Sequence, residues 1–390
     1  MDASIEKYLQ KYAEPEVLKR TKIGHFQQVI VIPSYDEKPD FLKSLFTNIS
    51  VSTRTKTLAI VVVNVPDDLH PDSSSYKSTR ALLKSCCEPN CLIIDRVSEP
   101  IPKKLGVGLA RKIGADVALA YIRDGLISTP IIYTTDADAE LPKDYFLSNT
   151  QRDVGAWLYP FKHRSKDNTL ENHAICYELH MRWYVDGLRR ANSYYAHHTL
   201  GSTIAINAKT YADVRGYPKR NAGEDFYLLN KIAKTALIHR RRSSPLVLEA
   251  RASTRVPFGT GPAILNMPEN HEDYTSYNPK VFEALALALK HVSHPNTQIS
   301  LPISNALETL NFTQKCGDLN TKQRHQWFDG LKTLRFVHAM QEHYPDIPLL
   351  PMLRTKYDLP KSDLRTLLAY QLNDENAHLI DLNKRQLSSL

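Results

Sequence analysis

The sequence predicts an α/β fold, a mostly parallel sheet flanked by helices and continued by a helical C-terminal region. Short β-branched runs alternate with helical patterns over the first two thirds of the chain, as strand–helix–strand units require. Glycine gathers in the same stretch: eleven of the 14 lie between Gly106 and Gly261, and only Gly317 and Gly330 follow. Beyond about residue 275, apolar residues recur at three- and four-residue spacing, which is helical.

Taken in order, residues 1–21 read as an N-terminal helix packed on the core. The α/β core spans about 22–265. Its strands are QVIVIP (28–33), LAIVVVN (58–64), CLIID (91–95), PIIYTTD (130–136), STIAIN (202–207) and LVLEA (246–250). Each is short, rich in Val and Ile, and bounded by polar or turn-forming residues. A helix opens at Gly106 and Gly108. The helical region, 266–390, holds VFEALALALKHV (281–292), RHQWFDGLKTLRFVHAMQEHY (324–344) and SDLRTLLAYQL (362–372), the last capped by Ser362 or Asp363. Segment 345–360 is punctuated by proline and reads as a packed connector.

Composition narrows the class. Among 390 residues, 42% are hydrophobic and 24% charged, which excludes disordered, collagen-like and membrane-spanning chains. The acid-bearing start MDASIEKYLQKYAEPE does not read as a signal peptide. The five cysteines are odd in number, and Cys86, Cys87 and Cys91 lack zinc-site spacing. Reduced thiols in a soluble, cytoplasmic protein are expected. The net charge of +8 suits phosphate-bearing partners and a peripheral membrane visit. No RNA-binding aromatic signature and no Arg-rich tail point to nucleic acid.

Four stretches could carry chemistry. In IIYTTDADAELP a β-branched strand runs into Asp136-Ala137-Asp138, at the carboxyl end where α/β sheets collect ligands. Two acids there could hold Mg²⁺ or Mn²⁺ with positions left for diphosphate oxygens, or could form an ordinary solvated turn. The first strand ends in Pro33-Ser34-Tyr35-Asp36-Glu37, whose polar groups and tyrosine face suit a nucleoside. Neither glycine-rich phosphate motif follows that strand. The segment PKKLGVGLARK opens a helix at Gly106 and Gly108 beside Arg111 and Lys112, suited to phosphate or simply a basic face. Finally Glu224-Asp225 begins a helix after an irregular loop, as caps or as a general base.

In this order the stretches resemble the family 2 glycosyltransferases, which have the GT-A fold. The matching positions are Pro33 to Glu37, Asn64 after a second strand, Gly106 and Gly108 through Ala110-Arg111-Lys112 to Gly114, Asp136-Ala137-Asp138, and Gly201 through Glu224-Asp225. They cover about residues 28–262.

The resemblance implies a metal-dependent hexosyltransferase that moves a sugar from a nucleoside-diphosphate donor to a hydroxyl acceptor with inversion. Pro33, Tyr35, Glu37, Asn64, Gly108, Arg111 and Asp136 would contact the donor. Asp136 and Asp138 would hold Mg²⁺ or Mn²⁺, with His239 as a candidate third ligand. Asp225, beside Glu224, would be the base. Arg255 and the Gly259–Gly261 loop would close over the diphosphate. Asn64 stands where an acid is usual, and Lys112 where an asparagine is usual, the latter adding charge near the diphosphate. Trp157 is expected in the core. The pair His197-His198 is expected to be structural or to line the acceptor side. The helical region offers an acceptor-shaping surface or a homodimer interface.

Two rival functions are a sugar-nucleotide nucleotidyltransferase and a catalytically silent nucleotide- or glycan-binding protein. The first needs a glycine- and arginine-rich loop after strand one, and Ser34-Tyr35-Asp36-Glu37 is not one. The second has no need of Asp136, Asp138 and Asp225 together.

Overall fold

The computed structural model describes residues 2–85, 90–148 and 153–389, which leaves Cys86 and Cys87 outside the described residues. The strands in chain order are β1 Gln28–Ser34, β2 Thr57–Pro66, β3 Cys91–Ile101, β4 Ile131–Thr134, β5 Ala139–Glu140, β6 Val154–Leu158, β7 Phe161–Arg164, β8 Ile204–Asn207, β9 Leu237–Arg240 and β10 Leu246–Glu249. The main helices are α1 Ala3–Lys11, α2 Gly106–Arg123, α3 Asn168–Arg190, α4 Glu224–Ile232, α5 Thr260–Leu265, α6 Pro279–Ser293, α7 Gly330–Gln341, α8 Leu349–Tyr357 and α9 Leu364–Ser389.

Among the described residues, seven strands form one sheet in the order β3-β2-β1-β4-β8-β6-β9. Every neighbouring pair is parallel except at β8, which runs antiparallel to β4 and to β6. This is the mostly parallel, helix-flanked sheet that the strand–helix alternation predicts. All seven residues of β1 are buried, because helices cover both faces and leave no solvent side for an alternating pattern. Strands β6 and β9 were not legible as strands. VGAWL carries glycine, and LIHR ends in polar residues beside RRSS. The run at 246–250 forms β10, but it joins a second sheet, β5-β10-β7, instead of the main one.

The N-terminal helix α1 is capped by Asp2, which accepts from Ser4 N–H at 2.9 Å. Its Tyr8 is buried and donates to Asp116 Oδ1 of α2 at 2.6 Å. The C-terminal helices share a separate apolar core with one face of α3, where Ile175, Leu179, Trp183 and Leu188 meet Phe282, Leu285, Phe336 and Leu353. Segment 324–344 divides at Asp329, which caps α7 by accepting from Lys332 N–H at 3.2 Å. The expected connector 345–360 instead contains α8. Pro351 falls in the first turn of α8, where a backbone N–H has no helical partner to lose. Asp363 accepts from Thr366 N–H at 2.8 Å, the capping contact expected there. Cys176 and Cys316 are free thiols. Among the described residues, no helix is long and apolar enough to cross a membrane.

Candidate functional site

The site lies beyond the carboxyl ends of β1 and β4. After β1 the chain turns at Asp36, whose φ of 55° is left-handed. Side-chain bonds hold this strained position: Ser75 Oγ donates to Asp36 Oδ2 at 2.8 Å, Ser78 Oγ donates to Oδ1, and Asp36 N–H donates to Thr79 Oγ1 at 2.8 Å. Burial works against the Asp36 charge, but the Ser78 and Ser75 hydroxyls and Arg255 outweigh it and lower its pKa. Tyr35 is half-buried, with the Arg255 guanidinium 5.3 Å from its ring centre.

Beyond β4, the Asp136 and Asp138 side chains are 40% and 19% exposed. Each holds a different arginine. Arg111, from the first turns of α2, is buried and pairs through Nη2 with Asp136. Its Nε donates to Glu224 Oε1 at 2.9 Å. Burial disfavours the guanidinium charge, but Asp136 and Glu224 overcome this and raise its pKa. One arginine therefore joins the β4 end to the start of α4.

Glu224 is buried, and its neighbour Asp225 is half-buried. Desolvation first, then the Glu224 carboxylate, push the Asp225 pKa up to about 7, against the Phe226 N–H, Arg111 and the Gly201 N–H. Gly201 lies under this group because Thr134 Oγ1 donates to the Gly201 carbonyl at 3.0 Å. A Cβ on Gly201 would stand 2.7 Å from Arg111 Nη2, so any side chain there would push the guanidinium out of place.

A strap, residues 250–259, links β10 to α5 and passes beside Glu37, Asp138 and Gly223. Arg251 Nε donates to Asp138 Oδ2 at 3.1 Å, and Nη2 pairs with the same oxygen. Arg251 also forks onto Glu37, with Nη1 to Oε2 at 3.2 Å and Nη2 to Oε1 at 3.1 Å. Arg255 Nη1 adds a third bond to Glu37 at 3.1 Å. Desolvation nevertheless keeps the Glu37 and Asp138 pKa values raised. At the strap's far end Phe258 is exposed, and its ring comes within 3.4 Å of a Cβ built on Gly223. Gly259 has a φ of 109° and ends the strap in a conformation that favours glycine. Sequence pattern alone does not distinguish Arg251 from its arginine neighbours. Its signal was a basic residue directly after the strand run LVLEA, inside an arginine-rich stretch.

The structure brings these residues into two groups joined by the Asp136–Asp138 turn: Arg111 with Asp136 and Glu224 beside Asp225, and Arg251 and Arg255 with Glu37, Asp138 and Tyr35. Asn64 is half-buried near the end of β2, and Pro33 is buried within β1 opposite Val62. Three expectations need correction. Gly108 does not offer its N–H to a ligand, because it donates to the Arg220 carbonyl at 2.9 Å. Its missing Cβ makes room for the backbone at Pro218 and Arg220, which covers the start of α2. Lys112 points away from any diphosphate. Its Nζ donates to Tyr8 Oη at 2.6 Å, to the Tyr12 carbonyl at 2.8 Å and to Asp116 Oδ2 at 2.8 Å. His239 is separated from the aspartates by the sheet. It pairs with Trp157 on β6, and β8 lies between β6 and β4, so three strand spacings, about 14 Å, intervene. Trp157 is buried core, as expected. His198 accepts a structural role, with Nε2 3.0 Å from Glu375 Oε1 of α9.

Among the described residues, no group of three or more His, Cys, Asp or Glu side chains converges on a metal position. The Asp136 and Asp138 pair still has the right chemistry. Two hard carboxylates suffice for Mg²⁺ or Mn²⁺ when phosphate oxygens and water complete the shell.

No family model matches the sequence, and no curated protein matches it. Among solved structures, the chain is similar to the mannosyltransferase PcManGT of Pyrobaculum calidifontis, in a complex with GDP-Man and Mn²⁺. The two share 15% identity over 98% of this chain and 94% of that one, at a TM-score of 0.38. It is also similar to residues 1–349 of S. aureus TarS in complex with UDP-GlcNAc, at 15% identity over 93% and 91%, TM-score 0.37. Mouse xyloside xylosyltransferase 1 aligns at 10% identity over 56% of this chain and 85% of its own, TM-score 0.27.

Proposed function

We propose that this chain is a glycosyltransferase that moves a sugar from a nucleoside-diphosphate donor to a hydroxyl acceptor, with inversion. The observation that carries the reading is the Arg111 bridge. A single buried guanidinium pairs with Asp136 at one end and with Glu224, the neighbour of Asp225, at the other. A cation for a leaving diphosphate and a carboxylate poised near pH 7 thus share one cleft.

In this reading, the acceptor oxygen forms a bond to the anomeric carbon from the face opposite the diphosphate. The anomeric carbon–oxygen bond breaks, and its electron pair leaves with the nucleoside diphosphate. Asp225 takes the acceptor proton, an effect worth about 10²–10⁴-fold for a well-placed general base. Arg111, Arg251 and Arg255 face the charge that builds on the departing oxygen; such preorganised donors often supply the largest catalytic contribution. Tyr35 flanks the nucleoside. Asp136 and Asp138 would hold a Mg²⁺ or Mn²⁺ ion, which supplies Lewis-acid stabilisation of the diphosphate when bound. Glu224 fixes Arg111 and so acts through it.

The test is nucleotide release from a panel of uridine and guanosine diphosphate sugars with Mn²⁺, with and without saccharide acceptors. Asp225→Asn should keep donor binding by thermal shift but lose transfer by about 10²–10⁴-fold. Undiminished transfer in that variant would overturn the assignment of the base.

A further inference from the structure

Arg251 is mechanically tied to the aspartate it holds. Leu248 pairs with Ala139 across the β5–β10 ladder, and Glu249 N–H donates to the Asp138 carbonyl at 3.3 Å. The arginine leaves that ladder two residues later, so its reach to Asp138 is built into the sheet. Its fork spans Asp138 and Glu37, and Arg255 completes the group on Glu37. Glu37 and Asp138 thus face the two guanidiniums, and Asp36 stands 3.7 Å from Arg255 on the outer side of the group. A divalent cation entering alone would place two positive charges against Arg251, which already holds Asp138. A diphosphate entering alone would take the arginines and leave Glu37 and Asp138 short of partners. Both together restore balance, because a diphosphate offers Arg251 the paired oxygens that its planar fork prefers.

We propose that Arg251 is an internal occupant of the cation position at Asp138. While no donor is bound it holds that carboxylate, so a divalent cation and a nucleoside diphosphate bind cooperatively and each binds weakly alone. The side chain is 31% exposed, which leaves it room to swing from carboxylate to phosphate. Linkage makes the coupling reciprocal, and factors of about 5–150 are usual. The inference rests on the donor and metal assignments above.

Mn²⁺ binding to the full chain, read from loss of the free-ion electron paramagnetic resonance signal, tests this without any turnover. GDP and UDP serve in parallel as nucleotide probes, and circular dichroism checks each variant for folding. In the wild-type protein, one of these nucleotides should tighten Mn²⁺ at least about tenfold. Arg251→Gln should bind Mn²⁺ alone about tenfold more tightly than wild type and show little further gain with nucleotide. Adding Asp138→Asn should erase that gain. Glu37→Gln should act in the opposite direction, because Arg251 then has Asp138 as its chief partner and holds it harder. Equal Mn²⁺ affinity of nucleotide-free wild type and Arg251→Gln overturns the proposal and leaves the transfer reading standing. Absence of Mn²⁺ binding from every protein, with either nucleotide present, overturns the metal assignment and this proposal together.

Discussion

Two charge clusters are built from the same residue types and behave as opposites. At the cleft, Asp36, Glu37 and Asp138 meet Arg251 and Arg255 on loops, with the arginine side chains 31% and 37% exposed. At the junction with the C-terminal helices, Glu178 is wholly buried on α3. It accepts from Arg182 Nη2 at 2.7 Å and from His163 N–H at 2.9 Å. Arg182 also donates to the Phe161 carbonyl at 2.9 Å and pairs with Glu375 of α9. Each junction group has several partners on regular elements, and water cannot replace them. At the cleft the two arginines are partly exposed, and a phosphate could take the place of the carboxylates they hold. Ion pairing alone therefore does not separate the two clusters; the exposure of the arginines does.

The sharpest way to break this comparison is to remove one acid from each cluster. Glu178→Ala takes from the buried Arg182 one of its two carboxylates and leaves Glu375 as the other, and it should cost about 3 kcal/mol, read as a fall in Tm, whereas Glu37→Gln should cost less than about 1 kcal/mol. Similar losses would mean that both clusters are structural. Acid unfolding refines the point. Burial opposes the Glu178 charge, but Arg182 and His163 prevail and hold its pKa down at about 2. Its folded pKa is thus below the unfolded one, so its stabilisation is complete above about pH 4.5 and is lost as pH falls toward 2. Glu178→Gln should flatten that part of the stability profile.

The next effect is on rate. Asp225 must be ionised to accept a proton, so transfer should fall about tenfold per pH unit below its pKa of about 7. The acid limb should be missing from the residual activity of Asp225→Asn. A limb near pH 4 in the wild type would show that the carboxyl is not desolvated during turnover. The smallest effect comes from Gly201→Ala, which presses a methyl group onto the Arg111 guanidinium. Transfer should drop about tenfold, the cost of roughly 1.4 kcal/mol of lost positioning, while Tm stays near wild type. A large Tm loss with unchanged transfer would move Arg111 from the functional to the structural side.

Much of the site was legible because strand ends are legible. Val- and Ile-rich runs that stop abruptly at Ser34-Tyr35-Asp36-Glu37 and at Asp136-Ala137-Asp138 announce both a buried strand and the edge where ligands gather. The misses have a common cause. Gly108 and Lys112 sit in a motif that suggests phosphate, yet one is used to admit the 218–220 backbone and the other to bind Tyr8 and the Tyr12 carbonyl, partners about a hundred residues away. His239 reads as a metal-binding type, but its place depends on strand order, which local pattern does not encode.

By itself, then, the chain's pattern of apolar runs determined the α/β class, the helical C-terminal third and the strand ends that carry Asp136, Asp138 and Tyr35, because hydrophobic periodicity is a local property. Which arginine meets which carboxylate was decided only in three dimensions. The β5–β10 ladder delivers Arg251 to Asp138 across more than a hundred residues of chain, and α2 delivers Arg111 to Asp136 and Glu224 together. Pairings between distant segments depend on sheet order and helix packing, and no local run of residues specifies them.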